Sequence, residues 1–441
     1  MTREGLTVGV PRETRAGERR VALTPTAIPA LTKAGVKALI ETGAGESAGF
    51  TDEAYREKAA ELVSRSEALG AEVILQIRTM GGTPQDQRAD LDLLRPEHIL
   101  IGLANPLAQP EAAMELARRK VISFAMELIP RITRAQSMDV LSSQANIGGY
   151  KAVLLAAEAL PKMFPMMTTA AGTIPPARVF VLGAGVAGLQ AIATARRLGA
   201  VVEAFDVRLE VKEQVQSLGA RFVEVELDTR AATGTGGYAQ EQSEEFLRRQ
   251  REVMARVVAA SDVVITTAQV PGKKAPLLVT EEMIEGMAPG SVIVDMAAGQ
   301  GGNVALSRPD EAVLTHGVTV LGPTNLPASV PYHASQTYAR NITTFLLHLM
   351  KAGMSDGPLR TDLDDEILAE TLVTRGGEVI NARVRQALGT PTTGSGGAES
   401  GRAAGSSPEM ASSSVQASGI PEPDESHQSH RSHPGTPRPA E

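Results

Sequence analysis

The sequence predicts an α/β protein with two doubly wound parallel-sheet domains flanking a cleft and a disordered C-terminal tail. Three observations predict it. Short apolar runs alternate with helical segments from Leu6 to about Arg134, and the alternation restarts at Ala177 and runs to about Thr324. At 441 residues the chain is too long for one ordinary core. From Gly389 to Glu441 the composition turns to Gly, Ser, Pro and Ala with no Phe, Tyr or Trp, which cannot bury a core.

Taken in order, LTVGVP reads as a strand and PTAIPALTKAG as a short helix stopped by a glycine. VKALIETG is a strand, AYREKAAELV an amphipathic helix, and AEVILQIR and HILIGLAN are strands; MELARRKVISFAMEL closes the series. Ser142 to Leu160 is one long helix containing Gly148-Gly149. A glycine pair costs helix stability, and close packing against a neighbouring backbone is the reason it implies. ARVFVLGAGVAGLQAIATARRLGA then reads as strand, turn and helix, followed by the strands VVEAFDV, ARFVEVEL, DVVITTA, SVIVDMAA and VTVLGP. The polar insertion 228–251, with Gly234, Gly236, Gly237 and Tyr238, reads as a mobile loop. Two helical segments from about Pro331 to Leu388 return to the first domain. The expected partition is therefore 1–141 with 329–388 for the first domain, 142–328 for the second, and 389–441 for the tail.

Composition narrows the chemistry. The net charge of -8 argues against a nucleic-acid partner, which normally meets a basic surplus. With no cysteine there is no disulfide, thiolate metal ligand or Cys nucleophile. The N-terminus is charged from Arg3 and lacks the apolar stretch of a signal peptide. The uncharged run Val179–Ala195 holds three glycines and reads as strand-turn-helix rather than a membrane span, so any membrane role falls to a partner chain. His427, His430 and His433 in the tail could bind a metal opportunistically, but a solvated disordered tail is the preferred reading, and no metal site is expected.

Two constellations carry chemistry. Gly183-Ala184-Gly185-Val186-Ala187-Gly188 follows an apolar strand, opens a helix and precedes an acid, Asp206, at the end of the next strand. That is the dinucleotide-binding context of a Rossmann unit. Gly183 permits the turn, Gly185 lets a pyrophosphate approach, Gly188 lets helix pack on strand, and the helix N-terminus offers free N–H groups. Asp206 favours NAD(H) over NADP(H), because a carboxylate repels a 2′-phosphate; Arg208 beside it tempers that preference. The second constellation is Arg131 to Ser142. On a helix Gln136, Asp139 and Ser142 share a face, and an Arg just ahead can pair with Asp139. Such a face can hold a carboxamide or ribose, or be a solvated surface with an ion pair; the spacing fits both.

With these residues in view, RITRAQSMDVLSSQANIGGYKAVLLAA, GTIPPARVFVLGAGVAGLQAIATARRLGA and EAFDVRLEVKEQVQSLGA resemble the NAD(H)-binding alpha subunits of proton-translocating NAD(P) transhydrogenases. VGVPRETRAGERRVALTP is similar both to that family and to alanine dehydrogenases, and the likeness spans about residues 5 to 385. The resemblance implies two Rossmann-like domains, a homodimer, and a partner NADP(H)-binding beta subunit beside a membrane-embedded subunit. It implies a cytoplasmic chain held peripherally at the inner membrane by those partners. It places Arg131, Gln136, Asp139 and Ser142 at the nicotinamide end, and Val186 with Ala187 and the glycines at the pyrophosphate. Asp206, Val207 and Arg208 fall at the adenosine ribose, Gly237 and Tyr238 on a loop closing over nucleotide, and Thr267 and Gln269 along the cleft. NADP(H) would sit on the partner subunit.

Chemistry separates the two relatives. Oxidising an amino acid needs a proton acceptor as well as a hydride acceptor. Hydride exchange between two nicotinamides needs positioning and exclusion of water. Alanine dehydrogenases carry a His and an Asp where this chain aligns Gly102 and Gly299. His98 lies four residues from Gly102 and reads as structural. Arg20 matches the arginine that holds a substrate carboxylate in alanine dehydrogenases and occurs in transhydrogenases too. Transhydrogenase alpha subunits often have an acid near Gly299. The expectation is thus an enzyme subunit that passes hydride from NADH to NADP+ on its partner, with only half the active site in this chain. An alanine dehydrogenase-like oxidoreductase and a non-catalytic nucleotide-sensing subunit are the alternatives.

Overall fold

The computed structural model describes residues 5–79, 88–224, 244–269, 272, 274–354 and 364–389. Strands β1 (Leu6–Val10), β2 (Val36–Glu41), β3 (Glu61–Val63), β4 (Val73–Arg78), β5 (Ile99–Leu103) and β6 (Ile122–Ala125) pair in parallel, in the order β3-β2-β1-β4-β5-β6. Continuous apolar runs such as VILQI and ILI suit strands covered on both faces by helices. The helix Val140–Ala159 then leaves this sheet: Val140 is buried in the first core, while Ala152, Val153 and Ala156 are buried in the second. A short antiparallel hairpin, β7 (Met167–Thr169) and β8 (Gly172–Ile174), follows it.

The second sheet comprises β9 (Arg178–Leu182), β10 (Val201–Phe205), β11 (Arg221–Phe222), β12 (Val263–Thr266), β13 (Val292–Asp295), β14 (Ala312–Thr315) and β15 (Val318–Leu321). Its order is β11-β10-β9-β12-β13-β15-β14, parallel except for the edge strand β14. The long helix Pro331–Gly353 buries Tyr338, Ile342, Phe345 and Leu349 in the first core. Strands β16 (Leu372–Arg375) and β17 (Glu378–Val379) then extend the first sheet antiparallel beyond β6. Each sheet therefore starts in its middle, grows one way, and restarts on the other side of its first strand. The reversal between β1 and β4, and again between β9 and β12, opens a crevice at the carboxyl ends of the strands, where ligands of such sheets bind.

Four element expectations need correction. AYREKAAELV is half helix: Asp52–Arg56 is helical, with Thr51 capping the Ala54 N–H, but Glu61–Val63 pairs with β2 as an edge strand. The insertion 228–251 is not all loop, because Glu244–Ala259 is a helix whose Met254 and Val258 bury against the second sheet. The segment 331–388 holds β16 and β17 as well as helices, so sheet pairing as well as helix packing ties it to the first core. The run from Gln136 to Ser142 is not one helix, as described below. The tail 390–441 lies outside the described residues.

Candidate functional site

The second crevice is built around glycines. Gly183, just past β9, has φ +98°, a backbone that other residues rarely adopt. A Cβ on Gly188 would lie 1.8 Å from the Gly183 carbonyl oxygen, so no other residue fits while the turn keeps this shape. Gly185 differs from both. Its φ is -76°, its ψ is -168°, and an added Cβ would meet nothing within 4 Å. Nothing among the described residues demands a glycine there, and the open space beside it fits the approach of a pyrophosphate. Helix Val186–Arg197 starts at this point with no capping side chain among the described residues, so its first N–H groups suit an outside acceptor. Val186 is exposed.

The turn is braced from both sides. Thr267, after β12, donates its N–H to the Leu182 carbonyl at 2.8 Å and its hydroxyl to the Gly183 carbonyl at 3.1 Å. Gln269 is exposed and donates Nε2 to the Met296 carbonyl at 2.7 Å. Behind the turn, a Cβ on Gly149 would lie 2.1 Å from the Ala187 carbonyl oxygen, which is the close backbone approach that the Gly148-Gly149 pair implied. Asp206 follows β10 and its Oδ2 accepts the Ala184 N–H at 2.8 Å. Its carboxylate is also gripped by Arg208, Nε to Oδ1 and Nη2 to Oδ2, each at 3.0 Å. Burial pushes this carboxyl up, but the Arg208 hydrogen bonds and the two backbone donors outweigh it and hold it below its usual value. Val207 between them is 74% exposed.

The Arg131–Ser142 segment breaks where a continuous helix was expected. Thr133–Met138 is a tight 3-10 turn, and Asp139 has ψ 91°, an extended residue that caps helix Val140–Ala159. Asp139 accepts the Ser142 N–H at 2.9 Å and the Ser142 hydroxyl at 2.6 Å. An N-cap carboxylate satisfies donors that helix geometry leaves free, so the helix starts after Asp139 rather than running through it. Gln136 lies exposed on the turn before it, not on the same helical face. No arginine pairs with Asp139 among the described residues; Arg134 pairs instead with Asp365 at 2.7 Å. Arg131 and Asp139 do share a wall, lining a cleft of about 420 Å³ with Glu127, Leu141, Glu370 and Arg383. Gly237 and Tyr238 lie outside the described residues.

The first crevice holds charges rather than glycines. Arg20, 2% exposed, donates Nε to Glu18 Oε1 at 2.7 Å and Nη2 to Glu18 Oε2 at 2.6 Å. Its Nη1 donates to Gln144 Oε1 at 2.8 Å, and Nη2 also reaches Asn325 Oδ1 at 3.2 Å. Gln144 in turn donates to the Ala334 carbonyl at 3.1 Å. All three guanidinium nitrogens are thus engaged, and the network ties residues 18–20 to both long helices. Burial opposes ionisation of Glu18, but the hydrogen bonds and charge of Arg20, with Asn325, bring its pKa down to about 2. Glu13, just past the end of β1, accepts the Ile77 N–H at 2.6 Å; burial and the charge of Glu18 push it up to about 8. Burial likewise raises Glu127 to about 7.

The two positions that distinguish the relatives are also placed. A Cβ on Gly102 would lie 2.4 Å from the Gln76 carbonyl oxygen, so this backbone has no room for an acid–base side chain there. Gly299 differs: among the described residues an added Cβ would meet only Thr324, at 3.4 Å, and nothing in the structure explains why it is glycine. His98 is buried and its Nδ1 accepts the Arg95 N–H at 3.3 Å, a structural role. Reading the residues singled out Arg20 but missed Glu13, Glu18 and Gln144. Two glutamates shortly before an arginine, just past an apolar strand, were the available signal.

Residues 9–148 match the model of the Alanine dehydrogenase/PNT N-terminal domain, and residues 152–382 that of the Alanine dehydrogenase/PNT C-terminal domain. A Rhodospirillum rubrum protein, named as the first part of an NAD(P) transhydrogenase subunit alpha, is 45% identical over 379 residues, covering 85% of this chain and 97% of that one. The crystal structure of transhydrogenase from Sinorhizobium meliloti superposes with TM-score 0.73 at 39% identity, covering 85% of this chain and 99% of that one. An L-alanine dehydrogenase structure superposes with TM-score 0.71 at 26% identity, covering 87% and 99%.

Proposed function

The chain belongs to the Alanine dehydrogenase/PNT family, and from that premise we propose that it is the NAD(H)-binding component of a proton-translocating NAD(P) transhydrogenase. In this reading it holds NADH and presents it to NADP+ on a beta subunit, with a separate membrane-embedded subunit coupling the exchange to proton movement. The observation that carries the reading is the contrast between the two crevices. The second keeps an open dinucleotide turn. In the first, the arginine that an amino-acid substrate would need is engaged at all three guanidinium nitrogens by Glu18, Gln144 and Asn325, and Gly102 has no space for a base. Hydride exchange between two nicotinamides needs neither group. We place the domain limits at 1–141 with 329–388, and at 142–328. We further propose that the protein is a homodimer attached to the cytoplasmic face of the inner membrane through its partners. Among the described residues no helix is long and apolar enough to cross a membrane.

The chain's residues divide the work. Gly183, Gly185, Val186, Ala187 and Gly188 bind the pyrophosphate through backbone N–H groups, and Asp206 with Val207 receives the adenosine ribose, Arg208 lying against the Asp206 carboxylate. Thr267 and Gln269 line the second crevice. Nicotinamide, when bound, supplies a ring carbon that gives or takes a hydride. Arg131, Gln136, Asp139 and Ser142 orient that ring; Asp139 is fixed for the task by its cap on Ser142. Tyr238 and Gly237 close over the site and exclude water, which positions the reacting carbons without proton chemistry.

The test is direct. Purified chain binds NADH in calorimetry, gives no transhydrogenation alone, and gives NADH-to-NADP+ exchange once the NADP(H)-binding subunit is added. Full exchange by the isolated chain, or vigorous NAD+ reduction with alanine, would overturn the proposal. NADH binding without exchange in the reconstituted mixture would favour a sensing role.

A further inference from the structure

Asp206 meets four donors. Oδ1 accepts the Arg208 N–H at 2.9 Å and Arg208 Nε at 3.0 Å; Oδ2 accepts the Ala184 N–H at 2.8 Å and Arg208 Nη2 at 3.0 Å. A carboxylate offers about four acceptor positions, so this one is saturated. The two backbone donors are fixed by the turn and the strand end. The other two come from one planar fork, bound bidentately. A ribose diol recognised by this carboxylate must donate its two hydroxyls to the positions that fork holds. Ribose and Arg208 cannot both have them.

The fork is also the movable part. The Asp206 side chain is 7% exposed and the Arg208 side chain 51%, so the arginine can swing into water while the aspartate cannot. Arg208 sits in extended backbone, φ -89° and ψ 110°, just ahead of the one-turn 3-10 helix Leu209–Val211, with exposed Val207 and Leu209 on either side. Once displaced, a guanidinium at this strand end is chemically suited to a 2′-phosphate. The next cation along the chain, Lys212, is already paired with Glu224 at 2.6 Å.

We propose that Arg208 sets nucleotide selectivity by competing with the adenosine ribose for Asp206, which weakens NAD(H) binding and relaxes the exclusion of a 2′-phosphorylated dinucleotide. This rests on the NAD(H) reading of the site. It makes Arg208 a brake on affinity rather than an added contact. Fast exchange of NAD(H) follows, because the arginine can recapture the carboxylate as the ribose leaves.

The test uses the full chain, with Kd for NADH and NADPH by calorimetry and NADH dissociation by stopped flow. Arg208→Leu frees the carboxylate and removes the phosphate-suited cation. It tightens NADH about threefold with slower dissociation, and weakens NADPH about tenfold, since a bare carboxylate repels the 2′-phosphate. Arg208→Lys keeps charge without the fork, so it tightens NADH while keeping NADPH binding. Equal weakening of both nucleotides by Arg208→Leu would mean that the arginine is an ordinary contact, and no change in either would mean that it is a bystander; each result overturns the competition. If the wild-type chain binds neither nucleotide, the site reading itself falls, a failure visible before any variant is made.

Discussion

The two sheets of this chain share the order of their first five strands and a crevice, and they fill the crevice in opposite ways. At β9/β12 the backbone is stripped to glycine and space is left open beside Gly185. At β1/β4 the equivalent place is packed with Glu13, Glu18, Arg20 and their partners. One topology thus supplies two kinds of place, a vessel and a strut, and side chains alone decide which. Function belongs to the site, not to the fold. The strut has its own logic: Arg20 reaches Gln144 and Asn325, and Gln144 reaches Ala334, so the buried charges fasten the two long helices together.

The comparison breaks most visibly at Arg20. Arg20→Met would leave the Glu18 carboxylate buried without its partner, and removing one half of a buried pair costs about 3–5 kcal/mol. Urea denaturation should show that loss, with NADH affinity of the remaining folded protein close to wild type. Unchanged stability would mean that the first crevice is not a strut.

Gly185→Val tests the vessel from the other side. The added side chain points into open space inside the chain, so the thermal midpoint stays within a few degrees of wild type. NADH affinity falls about a hundredfold, roughly 2.7 kcal/mol, because the valine stands where the pyrophosphate approaches. A variant that binds NADH normally would remove Gly185 from the site.

The carboxylates of the first crevice predict opposite pH dependences. Glu13 has a raised pKa of about 8, so its contribution is fully present below the unfolded value of 4.5 and drains away as pH rises to about 8. Glu18 is lowered to about 2, so its contribution is present above 4.5 and is lost as pH falls toward 2. Glu13→Gln therefore flattens the decline in stability between pH 5 and 8 and leaves the acid limb alone, as thermal melts across pH will show. A wild-type melt that is flat from pH 5 to 8 would contradict the buried, protonated Glu13.

What the sequence disclosed follows the same divide. The vessel was legible because its requirements are local: three glycines, a helix start and an acid at the next strand end all fall within 24 residues of chain, from Gly183 to Asp206. The pairing of Gly149 with Ala187 was legible as a cost needing a reason. The strut was not, because its partners lie far apart: Arg20 meets Gln144 across 124 positions and Asn325 across 305. The Gln136–Ser142 turn misled for another reason. Periodicity at three-residue spacing is shared by a helix and by a turn that feeds an N-cap, and only the capping bonds of Asp139 separate them. Edge strands of two to four residues, such as β3 and β17, carry too short a pattern to be seen.

Arg134 offers the smallest and most discriminating change, because it sits in the motif segment without facing the cleft that Arg131 and Asp139 line. Its Nη1 meets Asp365 at 2.7 Å and its Nη2 meets Glu366 at 3.8 Å, with half its side chain in water. Asp365 has another partner in His348 at 3.0 Å and caps the helix Glu366–Thr371, so it keeps its structural role without the arginine. Burial raises the Asp365 carboxyl, yet His348 and Arg134 together take it down to about 2. An ion pair exposed to this degree is worth about 0–1 kcal/mol. Arg134→Ala should therefore shift stability by no more than that and leave NADH affinity unchanged, whereas Arg131→Ala, at the cleft wall, weakens NADH binding with stability intact. Equal effects of the two variants on NADH would mean that the segment acts through its overall shape, and that the cleft wall has no privileged member.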